Sequence, residues 1–212
     1  TEETVEIITK AGGSAEARPT DVTDNDALHR LIADTHSKYG RIDILHSHAG
    51  IQVEGNLEKV TVDGLDKSYG LNVRPHFVAA RAVVPHMKAL GGGSIVNTSS
   101  NSGVFLDQGM LAYITTKAAV IAMTKQIALD YAPYNIRCNA LCPGWVDTPF
   151  NEPYIRQMGG REAIEKYVRE TIPMGRWATT GEIAESILFL ASDRSSFMTG
   201  HALVIDGGEC IA

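Results

Sequence analysis

Tyr113 and Lys117 stand four positions apart, and Ser100 lies thirteen positions ahead of the tyrosine. Residues at i and i+4 share a helix face, so this spacing places a phenol and an ammonium side by side on a helix predicted to begin near Met110. A strand-like run from Ser94 to Thr98 feeds a polar turn, so the hydroxyls at its end point to the same spot. A phenol, a hydroxyl and a neighbouring cation make a proton donor and acceptor for an alcohol or carbonyl oxygen. A Tyr-x-x-x-Lys string alone is common on solvated helix faces, so its surroundings decide.

The elements that must position these groups follow from pattern. The first eleven residues read as the end of a helix closed by Gly12-Gly13. Ala17 to Pro19 read as a short strand leading to Asp21. Asp24 caps a helix from Asn25 to about Tyr39, with Leu28, Leu31, Ile32 and Thr35 at helical spacing. Ile42 to Ser47 reads as a buried strand ending at Ala49-Gly50. A helix from about Val62 to Leu90 contains Pro75, which predicts a kink and a freed carbonyl. Beyond the Tyr-Lys helix come a strand over Ile136–Leu141, a Pro-Gly turn, helices over Arg161–Glu170 and Glu182–Ser192, and a last strand over Ala202–Ile205. Strands alternating with helices predict an α/β class with a doubly wound parallel sheet, Rossmann-like, in one domain spanning 1–212.

Composition excludes several functions. Nineteen Lys and Arg against 25 Asp and Glu give a formal charge of −6, with no basic run, which argues against a nucleic-acid surface. The apolar stretches are too short and interrupted to span a bilayer, and no leader pattern opens the chain. Cys138, Cys142 and Cys210 give no even framework. Cys138 and Cys142 read as packing residues of a strand, and a reducing cytoplasm is the expected compartment.

The order Asn72, Ser100, Tyr113, Lys117 is the most specific part of a wider set of motifs. Asn72 sits in GLNVRPHF, Asp21-Val22 in ARPTDVTD, and Pro143-Gly144 in IRCNALCPGWVDTP; GRIDILHSHAG, PMGRWATTGEIAESILFLASD and MTGHALVIDGG complete it. Together they resemble the short-chain dehydrogenase/reductase family along nearly the whole chain. The resemblance implies NAD or NADP as cofactor, a small-molecule alcohol or carbonyl substrate, and a homodimer or homotetramer paired through the helices at 62–90 and 110–132. Those helices are apolar on more than one face, as in the run Ala118 to Met123.

It also implies roles. Tyr113 is the general acid/base, and Lys117 favours its phenolate and holds the nicotinamide ribose. Ser100 holds the substrate oxygen; Ser99 and Ser102 compete on composition, and the thirteen-residue interval and the family pattern favour Ser100. Asn72 offers a freed backbone carbonyl to a water near the lysine, against the plain reading of a helix-surface asparagine. Asp21 and Val22 meet the adenine, Ala49 and Gly50 allow close approach of the cofactor, and Pro143, Gly144, Val146 and Thr148 hold the carboxamide end. Ser47-His48 depart from the family's Asn-Asn before Ala-Gly. His46 and His48 share a strand face, with no third metal ligand evident. Phe150 to Arg176 reads as a lid, where Phe150, Tyr154, Met158 and Trp177 offer an apolar wall and Arg156 and Arg161 an anion site.

The family's opening strand, glycine-rich turn and helix have no counterpart here, so strands one and two of the doubly wound sheet are expected to lie outside this sequence. Without them the run at Ala17 lacks a ladder neighbour and the strand at Ile42 has a bare edge. The choice between NAD and NADP usually rests on that region. Two other functions are weighed. A non-catalytic nucleotide-binding or scaffolding relative draws on the absent turn and the altered Ser47-His48. A hydrolase using Ser100 lacks the Gly-x-Ser-x-Gly elbow. Within the enzyme reading, sugar or polyol dehydrogenase and 3-oxoacyl reductase both remain open.

Overall fold

The computed structural model describes residues 2–212, with Gln157 as backbone alone. Four parallel strands, β1 (Ile44–Ser47), β2 (Gly93–Thr98), β3 (Ile136–Pro143) and β4 (Ala202–Ile205), pair in the order β1-β2-β3-β4. Ser47 lies beside Asn97, Thr98 beside Leu141, and Pro143 beside Ile205. The strands therefore finish along one edge of the sheet, where a doubly wound fold binds ligands.

Helices cover both faces. They are α1 (Glu2–Lys10), α2 (Asn25–Tyr39), α3 (Val62–Asn72), α4 (Arg74–Leu90), α5 (Leu111–Tyr131), α6 (Glu152–Gln157), α7 (Arg161–Thr171) and α8 (Thr180–Ala191). Successive β2 residues point to opposite faces. Ile95 packs with Val83, Val84 and Met87 of α4 and with Ile32 of α2. Val96 packs with Leu141 and with Ile183 and Leu190 of α8. Met87, Ile95, Val96 and Leu190 are wholly buried, and each such side chain contributes about 1.5–3 kcal/mol. β2 (GSIVNT) and β3 (IRCNALCP) are covered on both faces, and their buried polar side chains are bonded: Ser94 Oγ donates to the Leu190 carbonyl, Asn97 Nδ2 to Thr124 Oγ1, and Asn139 Nδ2 to the Met198 carbonyl.

Several sequence expectations hold closely. Asp24 caps α2 by accepting from the Asp26 and Ala27 N–H groups, and Gly40 ends it with φ 75°. The first helix closes at Gly12, with Thr1 outside the described residues. Four details differ. No strand forms at Ala17–Pro19, because that segment has no ladder partner; Glu16 and Arg18 instead pair with Lys38 and Asp34 of α2. The strand expected at Ile42 begins at Ile44, and as an edge strand it is half open rather than buried. The helix expected over 62–90 is two helices that break at Val73. Pro75 falls in the first turn of α4, where a missing N–H costs little, and Pro85 lies inside α4. Finally, the stretch from Phe150 to Arg176 is mostly helical, as α6 and α7.

Candidate active site

A cavity of about 560 Å³ opens at the carboxyl edge of the sheet, and Ser100, Tyr113 and Lys117 all line it. β2 delivers Ser100 just past its last residue. The first two turns of α5 deliver Tyr113 and Lys117, and the lysine Nζ lies 5.5 Å from the tyrosine ring centroid. The i and i+4 spacing thus puts both side chains on the inner face of α5, and the sheet edge brings the hydroxyl to them.

The three serines of the turn separate by their bonds. Ser99 Oγ donates to the Lys117 carbonyl at 2.8 Å and so ties the strand end to α5. The Ser102 N–H donates to Ser100 Oγ at 3.2 Å. Ser100 Oγ reaches Asn101 Oδ1 at 3.2 Å and the Pro143 carbonyl at 3.5 Å. It also lies near enough to the Tyr113 phenol to draw its pKa down against the larger effect of burial, which raises it.

Lys117 differs from expectation. Its Nζ donates to the Thr98 carbonyl at 3.2 Å, and burial lowers its pKa to about 8. The tyrosine remains above the ordinary phenol range with no pull from the lysine. Desolvation outweighs attraction here because the ammonium is turned to a backbone carbonyl rather than to the phenol oxygen.

Asn72 is wholly buried, which removes the helix-surface reading. Its Oδ1 accepts from the Ile51 N–H at 2.7 Å, and its Nδ2 donates to the Ile51 carbonyl and Thr116 Oγ1, both at 2.9 Å. The side chain therefore clamps the loop after β1 to α5, one turn from Tyr113. Gly50 lies beneath this clamp: a Cβ there would stand 3.1 Å from Asn72 Oδ1 and 3.4 Å from Lys117 Nζ. Gly144 is tighter, since a Cβ would meet Asp206 Cβ at 2.7 Å and its Cα at 2.9 Å.

Ala49, Gly50, Pro143, Gly144, Val146 and Thr148 line the same cavity. Asp21 and Val22 do not. Asp21 is exposed, and its carboxylate accepts from the Thr23 N–H and hydroxyl in a local turn. His46 Nε2 and His48 Nδ1 meet Thr98 Oγ1 at 2.9 and 3.2 Å. One hydroxyl proton cannot serve both, so at least one imidazole donates to Thr98 Oγ1. Burial lowers both imidazole pKa values, to about 4 for His46, so the pair sits neutral at pH 7. Among the described residues no group of three or more His, Cys, Asp or Glu is arranged to hold a metal ion.

Of the predicted lid residues, Phe150 and Tyr154 line the cavity, Met158 lines a separate hollow, and Trp177 packs edge-on against Trp145 at 5.4 Å. Arg161 is taken up by Asp147 in two 2.8 Å bonds and by Glu165. Sequence reading missed Asn101, Trp145 and Glu209, which meet at the cavity wall. The one available signal was a carboxylate placed directly after Gly207-Gly208 at the end of β4.

The chain is similar to known oxidoreductases in sequence and in fold. A family model described as enoyl-(acyl carrier protein) reductase matches residues 1–209. An uncharacterized oxidoreductase of Thermotoga maritima is 38% identical over 98% of this chain and 82% of its own length. The 2-(R)-hydroxypropyl-CoM dehydrogenase of Xanthobacter autotrophicus is 38% identical over 88% of this chain and 74% of its own. Among solved structures, a gluconate 5-dehydrogenase from Burkholderia cenocepacia, in complex with NADP and tartrate, superposes with a TM-score of 0.91 at 31% identity, covering 100% of this chain and 83% of that one.

Proposed function

The chain belongs to the short-chain dehydrogenase/reductase family, and on that premise we propose that Tyr113, Ser100, Lys117 and Asn72 carry its catalysis. The protein is an NAD(P)-dependent oxidoreductase. The observation that carries the residue assignment is the convergence of Tyr113, Ser100 and Lys117 on one cavity from two different elements.

The wall formed by Ala49, Gly50, Pro143, Gly144, Val146 and Thr148 fits the nicotinamide end of a dinucleotide. A side chain at Gly144 would collide with Asp206, and one at Gly50 would crowd Asn72 Oδ1, so glycine keeps the backbone open to close approach at both. When bound, the dinucleotide supplies the hydride acceptor or donor. The protein handles the proton. For an alcohol, Ser100 Oγ holds the hydroxyl oxygen and Tyr113, as phenolate, takes its proton. In the reverse direction the phenol returns that proton to the forming alkoxide. Asn72 fixes the loop that bears Gly50, and its clamp on Thr116 sets α5 beneath the substrate.

The test is a nicotinamide assay. Fluorescence titration with each reduced dinucleotide should give saturable binding, and a panel of secondary alcohols should produce absorbance from reduced cofactor. A chain that binds either dinucleotide tightly yet turns over no alcohol or ketone would speak for a non-catalytic relative.

Assembly and compartment complete the proposal. Phe77 of α4 and Leu111 and Leu129 of α5 are exposed at 51, 37 and 73%, which suits pairing of these helices in a homodimer or homotetramer. Sedimentation equilibrium showing a monomer at micromolar concentration would refute it. Cys138 and Cys142 are free and buried, as suits the cytoplasm; recovery of the protein only from an exported fraction would contradict that placement.

A further inference from the structure

We propose that Glu209 makes this cavity select alcohols bearing additional hydroxyl groups, such as a polyol or neutral sugar, over alcohols whose far end is a carboxylate or phosphate. The inference rests on the oxidoreductase reading of the same cavity and adds the substrate class to it.

Glu209 is nine-tenths buried in the cavity wall. Asn101 Nδ2 donates to its Oε2 at 2.7 Å, and Trp145 Nε1 donates to its Oε1 at 3.1 Å. An ionised carboxylate accepts only, at about four lone-pair sites. Two are filled, so each oxygen retains capacity for one further donor, and substrate hydroxyls supply donors. Asn101 also accepts from Ser100 Oγ through Oδ1. A single amide therefore links the group that holds the reacting oxygen to the group that reads the rest of the substrate.

The charges on the wall have one sign at this end. Glu209 and Asp107 are the cavity's carboxylates, and among the described lining residues Lys117 alone is a lysine or arginine. Lys117 is bound to the Thr98 carbonyl beside Tyr113. Arg161, the expected anion receptor, is neutralised by Asp147 and Glu165. A substrate carboxylate would meet Glu209 with no counter-charge, whereas a hydroxyl would complete its bonding. Trp145, stacked at a tilt on Tyr154 with ring centroids 5.1 Å apart, offers an apolar surface for the C–H side of a polyol. Burial and the nearby acids also raise the Glu209 pKa, as expected of a carboxylate without a cationic partner.

The experiment compares kcat/KM for ribitol and sorbitol with ribonate and gluconate, with 2-butanol as a simple alcohol and glucamine as a cationic one, in wild type and Glu209→Gln. Wild type should favour each polyol over its matched acid about tenfold or more, and Glu209→Gln should lose about tenfold on polyols and narrow that preference. Trp145→Phe, which keeps a ring and removes the donor to Oε1, should move the preference in the same direction by less; it serves as the arm should Glu209→Gln melt early. Equal or better turnover of the acids, a preference for glucamine over sorbitol, or a preference untouched by both substitutions would overturn the inference. Turnover of 2-butanol alone would overturn it and leave the oxidoreductase reading standing, while no turnover of any alcohol or ketone would overturn both.

Discussion

Tyr113→Phe removes turnover and leaves dinucleotide binding nearly unchanged. The hydroxyl is the only part of the side chain that changes; the ring of Tyr113, a residue 8% exposed at the start of α5, stays. Loss of a positioned acid/base lowers kcat by roughly 10²–10⁴-fold. No other group that lines the cavity beside Ser100 replaces it: Lys117 is held by the Thr98 carbonyl, and the His48 Nδ1 is engaged with Thr98. Burial keeps the phenol above its ordinary range, so alcohol oxidation in the wild type should quicken as pH rises and more phenolate forms. Steady-state rates beside a fluorescence titration of the cofactor decide the matter. A variant that works within a few fold of wild type takes Tyr113 out of the mechanism; one that neither turns over nor binds cofactor reports a structural loss instead.

Lys117→Met should abolish activity and stabilise the fold. Burial lowers the ammonium from 10.5 to about 8. Carrying it protonated at pH 7 therefore costs the folded state roughly 3 kcal/mol relative to an exposed lysine, at about 1.36 kcal/mol per tenfold. The sign follows from the two values. Between about 8 and 10.5 the unfolded chain binds the proton more tightly than the folded one, so wild-type stability rises with pH across that window through this group. Methionine has similar length and no charge to bury, and it forfeits the bond to the Thr98 carbonyl, worth about 0.5–1.5 kcal/mol. A net gain of about 2 kcal/mol at pH 7 remains, which for a chain of this size raises Tm by roughly 4–8 °C. Melting curves of both proteins from pH 7 to 10 test this, with the difference shrinking toward the alkaline end. A variant less stable than wild type at pH 7 would show that the lysine is held as a stabilising group rather than for function.

Sequence reading succeeded where the determinants of structure are local and failed where they are not. The bounds of α2 and β4 were legible because their determinants are local: a capping Asp24, a closing Gly40, and four apolar residues in a row at Ala202–Ile205. The pairing of Tyr113 with Lys117 was legible too, since one turn of helix sets it. The spacing of Ser100 from Tyr113 needed the motif as a whole, because a turn of several residues separates strand from helix.

Other features depended on contacts that periodicity does not encode. Ala17–Pro19 carries strand-like residues, yet a strand exists only where a neighbour completes its ladder, and here α2 offers ion pairs instead. The direction of the Lys117 ammonium was set by the Thr98 carbonyl, nineteen positions away. Asn72 looked like a poor helix residue and proved to be a buried clamp, because Ile51 and Thr116 come to it from two other elements.

The sequence by itself determined the alternation of strands and helices, the face of α5 that carries Tyr113 and Lys117, and the reaction class. Only the tertiary structure decided which charges share the cavity. Asn101 and Glu209 lie 108 positions apart and meet at 2.7 Å because β2 and β4 end on the same edge of one parallel sheet. Helical and strand periods reach across a few residues, whereas the sheet edge gathers chain ends irrespective of their separation, and this wall of the cavity is made by such a meeting.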